Sequence, residues 1–208
     1  MGLHPDDPTL MRVIATSAHE LDQLQASTQR QLLEIYQRER DVIVGKIVTQ
    51  GNADTFGIKH LRIILKALDV SIDRLKQDLG EVLNDGIHQA GSMGATQGAR
   101  ELATLEGTFG SRETAKLIAS ITGKIPHQAL AAIQTLATIQ TEHLTLDLSQ
   151  TVKAVLHQGL ITGQNSRQLV PALARQVGNV ADSKAWQLER VLRTGLNAAV
   201  NQGHSATY

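Results

Sequence analysis

The sequence predicts an all-α protein, an elongated helical bundle of long helices with a small helical subdomain at its C-terminal end. Three observations lead there. Apolar residues recur at intervals of three and four over long stretches, as they do on one face of a helix. Alternation with period two never persists, so no strand is required. Hydrophobic residues form 41% of the 208 positions but aromatics only 2%, leaving Leu, Ile, Val and Ala to carry a core suited to helices packed side by side.

Residues 1–8 read as an irregular arm in which Asp7 caps a helix and Pro8 occupies its first turn. From Leu10 to about Gln50 the apolar positions keep helical spacing, interrupted by a polar stretch from Gln23 to Gln31. One bent helix and two shorter ones both satisfy this pattern. Gly51 and Asn52 read as a stop, and Asp54 or Thr55 as a new cap.

The clearest periodicity follows. Leu61, Leu65, Leu68, Ile72, Leu75, Leu79 and Val82 step alternately by four and three, a heptad seam of the coiled-coil kind. Such a stripe is expected to bind a partner helix, either within the chain as a hairpin with the first helix or from another subunit. Downstream come Gly86, Gly91, Gly94 and Gly98, each costing a helix about 1 kcal/mol against alanine. The segment reads either as a flexible joint or as a helix that survives by very close packing. Polar residues such as Gln89 and Arg100 exclude a membrane dimerisation face.

These features divide the chain into 1–109, with the seam and the glycine-rich joint, and 110–208. In the second region Glu113 to Ser120 should form a short helix ended by Gly123. Pro126 then opens a long segment from Leu130 to Leu160, which the pattern allows either to run on or to break near Thr145 to Ser149. Asn165 or Ser166 should cap a short helix through Val177 that Gly178 ends, and Asp182 or Ser183 should cap the last helix.

Charge excludes little except a global basic field. The chain carries 20 basic and 20 acidic side chains, so wholesale nucleic-acid binding is not expected. The regions differ mildly: 1–109 holds 11 basic and 15 acidic residues, and 110–208 holds 9 and 5. No cysteine is present, which removes thiol nucleophiles and thiolate metal sites. Among the eight histidines no two are four apart on a helix, and only His88 has an acid, Asp85, three residues before it, so no metal site is expected. His19-Glu20 lacks the second histidine of a zinc-protease helix. Gly123-Lys124 is followed by isoleucine and proline rather than by the hydroxyl of a phosphate loop, and no serine sits in a Gly-x-Ser-x-Gly elbow. No catalytic residue, cofactor or enzymatic activity is therefore expected.

The C-terminal residues are more specific than the composition. They run from Gly163 through Ser166, Leu169, Pro171 and Ala174, then from Ala185 through Arg193, Thr194, Gly195, Asn197, Ala199, Asn201 and Gly203 to Tyr208. This text, over about the last fifty residues, resembles the Mu-type head morphogenesis family, the minor head proteins of tailed phages. Arg193, Thr194, Ala199, Asn201, Gly203 and Tyr208 fall on the family's positions. Gly195 departs from the pattern, since the family usually has glutamate there, and the chain stops at Tyr208 where members continue into a small mixed domain.

The resemblance implies a non-enzymatic virion component that associates with the portal or inner capsid during head assembly and accompanies DNA packaging or ejection. It implies residence in the virion, and in the host cytoplasm during assembly. Expected partners are portal or other virion proteins, a second copy of the chain, and DNA, with no membrane. Independently of the family, Arg193, Asn197 and Asn201 share one helix face and either dock on another protein or clip the last helix to the body. Trp186 and Tyr208 are expected to pack. The other class left open by the sequence is a cytosolic helical regulator or adaptor that dimerises through the seam.

Overall fold

A computed structural model describes residues 8–51, 58–105, 112–122, 127–162, 164 and 166–207. They form five helices: α1 (Pro8–Gly51), α2 (Ile58–Leu105), α3 (Arg112–Thr122), α4 (His127–Ile161) and α5 (Ser166–Ser205). No strand occurs among the described residues, and the protein is all-α. The longest helix, α2, has 48 residues and spans about 72 Å at 1.5 Å per residue.

One interruption that the sequence leads one to expect, at Gly178, and two that it leaves open, at 23–31 and near Thr145, do not occur. The polar stretch 23–31 lies inside one continuous α1, where Ser27 and Thr28 donate their hydroxyl hydrogens to the Leu24 carbonyl at 3.0 and 2.8 Å. Such bonds back to the preceding turn let short polar side chains stay helical. In α4 no break appears near Thr145, because its hydroxyl bonds the carbonyls of Thr141 and Glu142 while Leu144, Leu148, Val152 and Leu156 keep a buried stripe at four-residue intervals. Gly178 does not end a helix, and 166–205 is a single element. Leu169 and Leu173 before that glycine and Leu188, Leu192 and Leu196 after it are all buried, and this packing outweighs the cost of about 1 kcal/mol for one glycine. Pro171, also inside α5, lies early enough that the one ladder bond it removes would have reached Arg167 in the first turn. The expected caps Asp7, Asp54, Thr55 and Asn165, and the stop residues Asn52 and Gly123, lie outside the described residues.

The chain condenses into two compact units, each built from both regions of the sequence. One comprises Met1–Gln29, Val82–Ala137 and Val191–Tyr208, the other Arg30–Glu81 and Thr138–Arg190. The second unit packs parts of α1, α2, α4 and α5 around a large-residue core: Leu32 and Ile43, then Leu68, Leu75 and Leu79, then Leu148 and Leu156, then Leu173 and Leu188. Its helices are joined at the rim by Lys153 to Asp69 at 2.9 Å, Lys184 to Asp147 at 2.6 Å, and Arg38 to Asp78. Pairs exposed to solvent contribute little to stability, so these set register more than they stabilise. Hydrogen bonds to Glu39 and then Asp78 hold the Arg38 guanidinium above its ordinary pKa.

The first unit has a different interior. Along α2, beyond the buried Leu83 and Ile87 at its start, the buried residues are mostly small: Gly86, Ala90, Gly91, Gly94, Ala95, Gly98, Ala99 and Ala103. Facing them on α5 are Ala199, Val200 and Gly203. A Cβ built on Gly94 would lie 2.0 Å from the Val200 carbonyl oxygen, and one on Gly203 would lie 1.9 Å from that of Gly91. Backbone therefore rests on backbone, an approach that only a missing side chain permits. Of the two readings open for the glycine-rich segment, the close-packed helix is the one observed.

Replacing Gly94 by alanine should destabilise the protein by about 2 kcal/mol or more, since the obstacle is backbone and cannot swing aside. Gly80→Ala, on the same helix but with nothing within 4 Å of its added carbon, should instead stabilise by about 0.5–1 kcal/mol. Urea denaturation of the two variants checks the opposite signs.

Candidate interaction surface

The heptad seam is buried within the chain. Leu68, Ile72, Leu75 and Leu79 are buried, Leu75 and Leu79 completely, while Leu65 and Val82 are half-buried and Leu61 lies on α2. Of the two occupants left open for the stripe, a helix of the same chain covers its described residues, and these are not presented to an outside helix. Contacts across it place α1 alongside α2, with Lys46 Nζ donating to Ser71 Oγ at 2.9 Å and Arg38 paired with Asp78.

On α5 the structure sorts the C-terminal residues by face. Arg193, Asn197 and Asn201 are all exposed, at intervals of four that keep them on one side of the helix. Asn197 Oδ1 accepts a hydrogen bond from Gln25 Nε2 of α1 at 3.1 Å, which fixes that amide. The opposite side holds Leu192, Leu196, Ala199 and Gly203, buried toward α2. Near the helix end His204 Nε2 lies 2.8 Å from Glu101 Oε2, a second tie between α5 and α2. Tyr208 lies outside the described residues.

Trp186 does not pack as expected. It is 55% exposed, one turn before Arg190 on the exposed side of α5. The helix finds its burial elsewhere, through leucines at 188, 192 and 196, so the indole is left to solvent.

Gly195 stands where the resembled family has glutamate. A Cβ there would meet Ile87 at 3.7 Å and Ile133 at 4.0 Å, ordinary contact distances with apolar side chains. The position has room for a methyl group, whose nearest neighbours would be these two isoleucines.

Among the described residues no group of three or more His, Asp or Glu side chains is placed to hold a metal ion. No described helix is long and apolar enough to cross a membrane. Comparison with protein-family models, with curated proteins and with solved structures finds no match to this chain.

Truncating Leu75 to alanine should cost about 2–5 kcal/mol, the range for a buried leucine. Its unfolding midpoint should stay the same across a hundredfold dilution, because the seam is filled from within; a midpoint that falls on dilution would mean that chains share it. Gly195→Ala should keep the wild-type stability or gain up to about 1 kcal/mol. Gly195→Glu should lose about 1–3 kcal/mol by setting a carboxylate against Ile87 and Ile133, and thermal melting of the pair reads the difference.

Proposed function

We propose that the chain is a structural minor head protein of a tailed phage, an all-helical component that joins portal or inner capsid proteins during head assembly. The resemblance over the C-terminal residues supplies the class. The observation that carries it is the division of those residues on α5. The small ones, Ala199 and Gly203, are used up locking the helix against α2, and the polar ones, Arg193, Asn197 and Asn201, are held outward on a rigid face. A rigid helix face presenting a guanidinium and amides suits docking on another protein. Helical surface rather than an enclosed cleft is what an assembly component works through.

The alternative, a regulator dimerising through the heptad seam, is disfavoured by the burial of Leu68, Ile72, Leu75 and Leu79 inside the chain. DNA and a second copy remain partners to be read from the same assay.

Co-expression with portal and procapsid proteins, followed by sedimentation of the particles, tests the assignment. The chain should travel with the particles. Arg193→Ala combined with Asn201→Ala should lower the incorporation of folded chain about tenfold, the effect of losing roughly 1.4 kcal/mol of contact. A chain that stays at the top of the gradient with every portal and capsid protein offered would end the proposal.

A further inference from the structure

The helix α4 is apolar on two sides. Its buried stripe, Leu144, Leu148, Val152 and Leu156, faces the core. On the outward side Ala132, Leu136, Ile139, His143 and Leu146 are exposed, and they step by four, three, four and three along one continuous helix. Single exposed apolar residues are ordinary on a protein surface, but a run at heptad spacing is the pattern by which one helix covers another. Leu136, Ile139 and Leu146 are 52%, 44% and 50% exposed, so about half of each is left in water.

Charge marks the same face. Three of the 35 residues of α4 are charged, against ten of the 44 in α1. All three are engaged inside the chain: Glu142 by Lys76 at 2.5 Å, Asp147 by Lys184 at 2.6 Å and Lys153 by Asp69 at 2.9 Å. The stripe is therefore left with no uncompensated carboxylate or ammonium of its own helix. Aliphatic surface poor in charge is characteristic of the centre of a protein interface. Such a face offers a charged peptide or a phosphate backbone nothing to pair with, whereas a copy of itself meets it without repulsion.

We propose that this face of α4 pairs two copies of the chain, antiparallel and about a two-fold axis at the level of residue 141. In that register Leu136 of each copy meets Leu146 of the other and Ile139 meets His143, so each large residue of the stripe is covered in one self-complementary contact. Antiparallel pairing also keeps the two imidazoles apart, where a parallel pair would stack them. A polar residue at one position of such a seam sets register at a cost in stability. Three half-exposed aliphatic residues per copy make a contact smaller than a standard interface of about 1,600 Å², so the dimer is weak, with a Kd on the order of 100 µM. At the low micromolar concentrations of an unfolding experiment the chain is a monomer. The contact is separate from the face of α5 proposed for docking and stands or falls independently of it.

Analytical ultracentrifugation of the full chain from about 5 to about 500 µM tests this, and the mean mass should rise from that of a monomer toward that of a dimer. Leu146→Lys and Ile139→Lys should each weaken association at least about tenfold and His143→Leu should tighten it about tenfold, all three keeping the wild-type helicity, while Met11→Lys, at a site 55% exposed on α1, should leave it unchanged. Because the chain has no cysteine, Leu136→Cys combined with Leu146→Cys should give a covalent dimer on mild oxidation, and Leu146→Cys alone should not. A chain that stays monomeric across the range, a dimer that survives both lysine substitutions or that His143→Leu leaves no tighter, or crosslinking by Leu146→Cys alone would each overturn the proposal.

Discussion

The contact on which the first unit depends is the one between the backbones of α2 and α5. Where Gly94 meets Val200 and Gly203 meets Gly91 there is no space for even a methyl group. Helices that approach so closely gain many weak dispersion contacts along their backbones, and these offset the conformational entropy that each glycine loses on folding. The contact also decides orientation. Because Ala199 and Gly203 must face α2, the residues half a turn away must face outward, and Arg193, Asn197 and Asn201 are exposed for that reason. The surface assigned to assembly is thus a by-product of where the small residues fall.

The second unit solves the same packing problem with bulk. Leu75, Leu79, Leu148, Leu156, Leu173 and Leu188 fill its centre at nearly zero exposure, and large branched side chains hold helices further apart than glycine does. At that spacing the outer edge between two neighbours need not close completely.

How much of this could be read beforehand follows from what periodicity encodes. Helix identity was legible because apolar spacing is a property of one segment: the seam from Leu61 to Val82 and the stripe from Leu144 to Leu156 announce buried faces without naming what covers them. Punctuation was less legible. Gly178 and the polar run 23–31 look like stops because local propensity disfavours helix there, yet leucines on both sides of the glycine and hydroxyls bonded to their own backbone carry the helix through. The glycines from 86 to 98 gave their cost but not their partner, since Val200 and Gly203 are about a hundred residues away. That Arg193, Asn197 and Asn201 share a face of α5 was legible from their spacing, whereas the exposure of Trp186 was not, because an isolated indole gives no sign of which side its helix will bury.

That indole has a consequence for anyone following the protein in solution. It is the chain's sole tryptophan, and it stands in water in the native state. Its emission should already be red-shifted before denaturant is added and should change little as the helices melt, so ultraviolet fluorescence is nearly blind to unfolding here. The same property makes it an outward-looking reporter on α5: a blue shift on mixing with another macromolecule would register the covering of that helix rather than any change in the core.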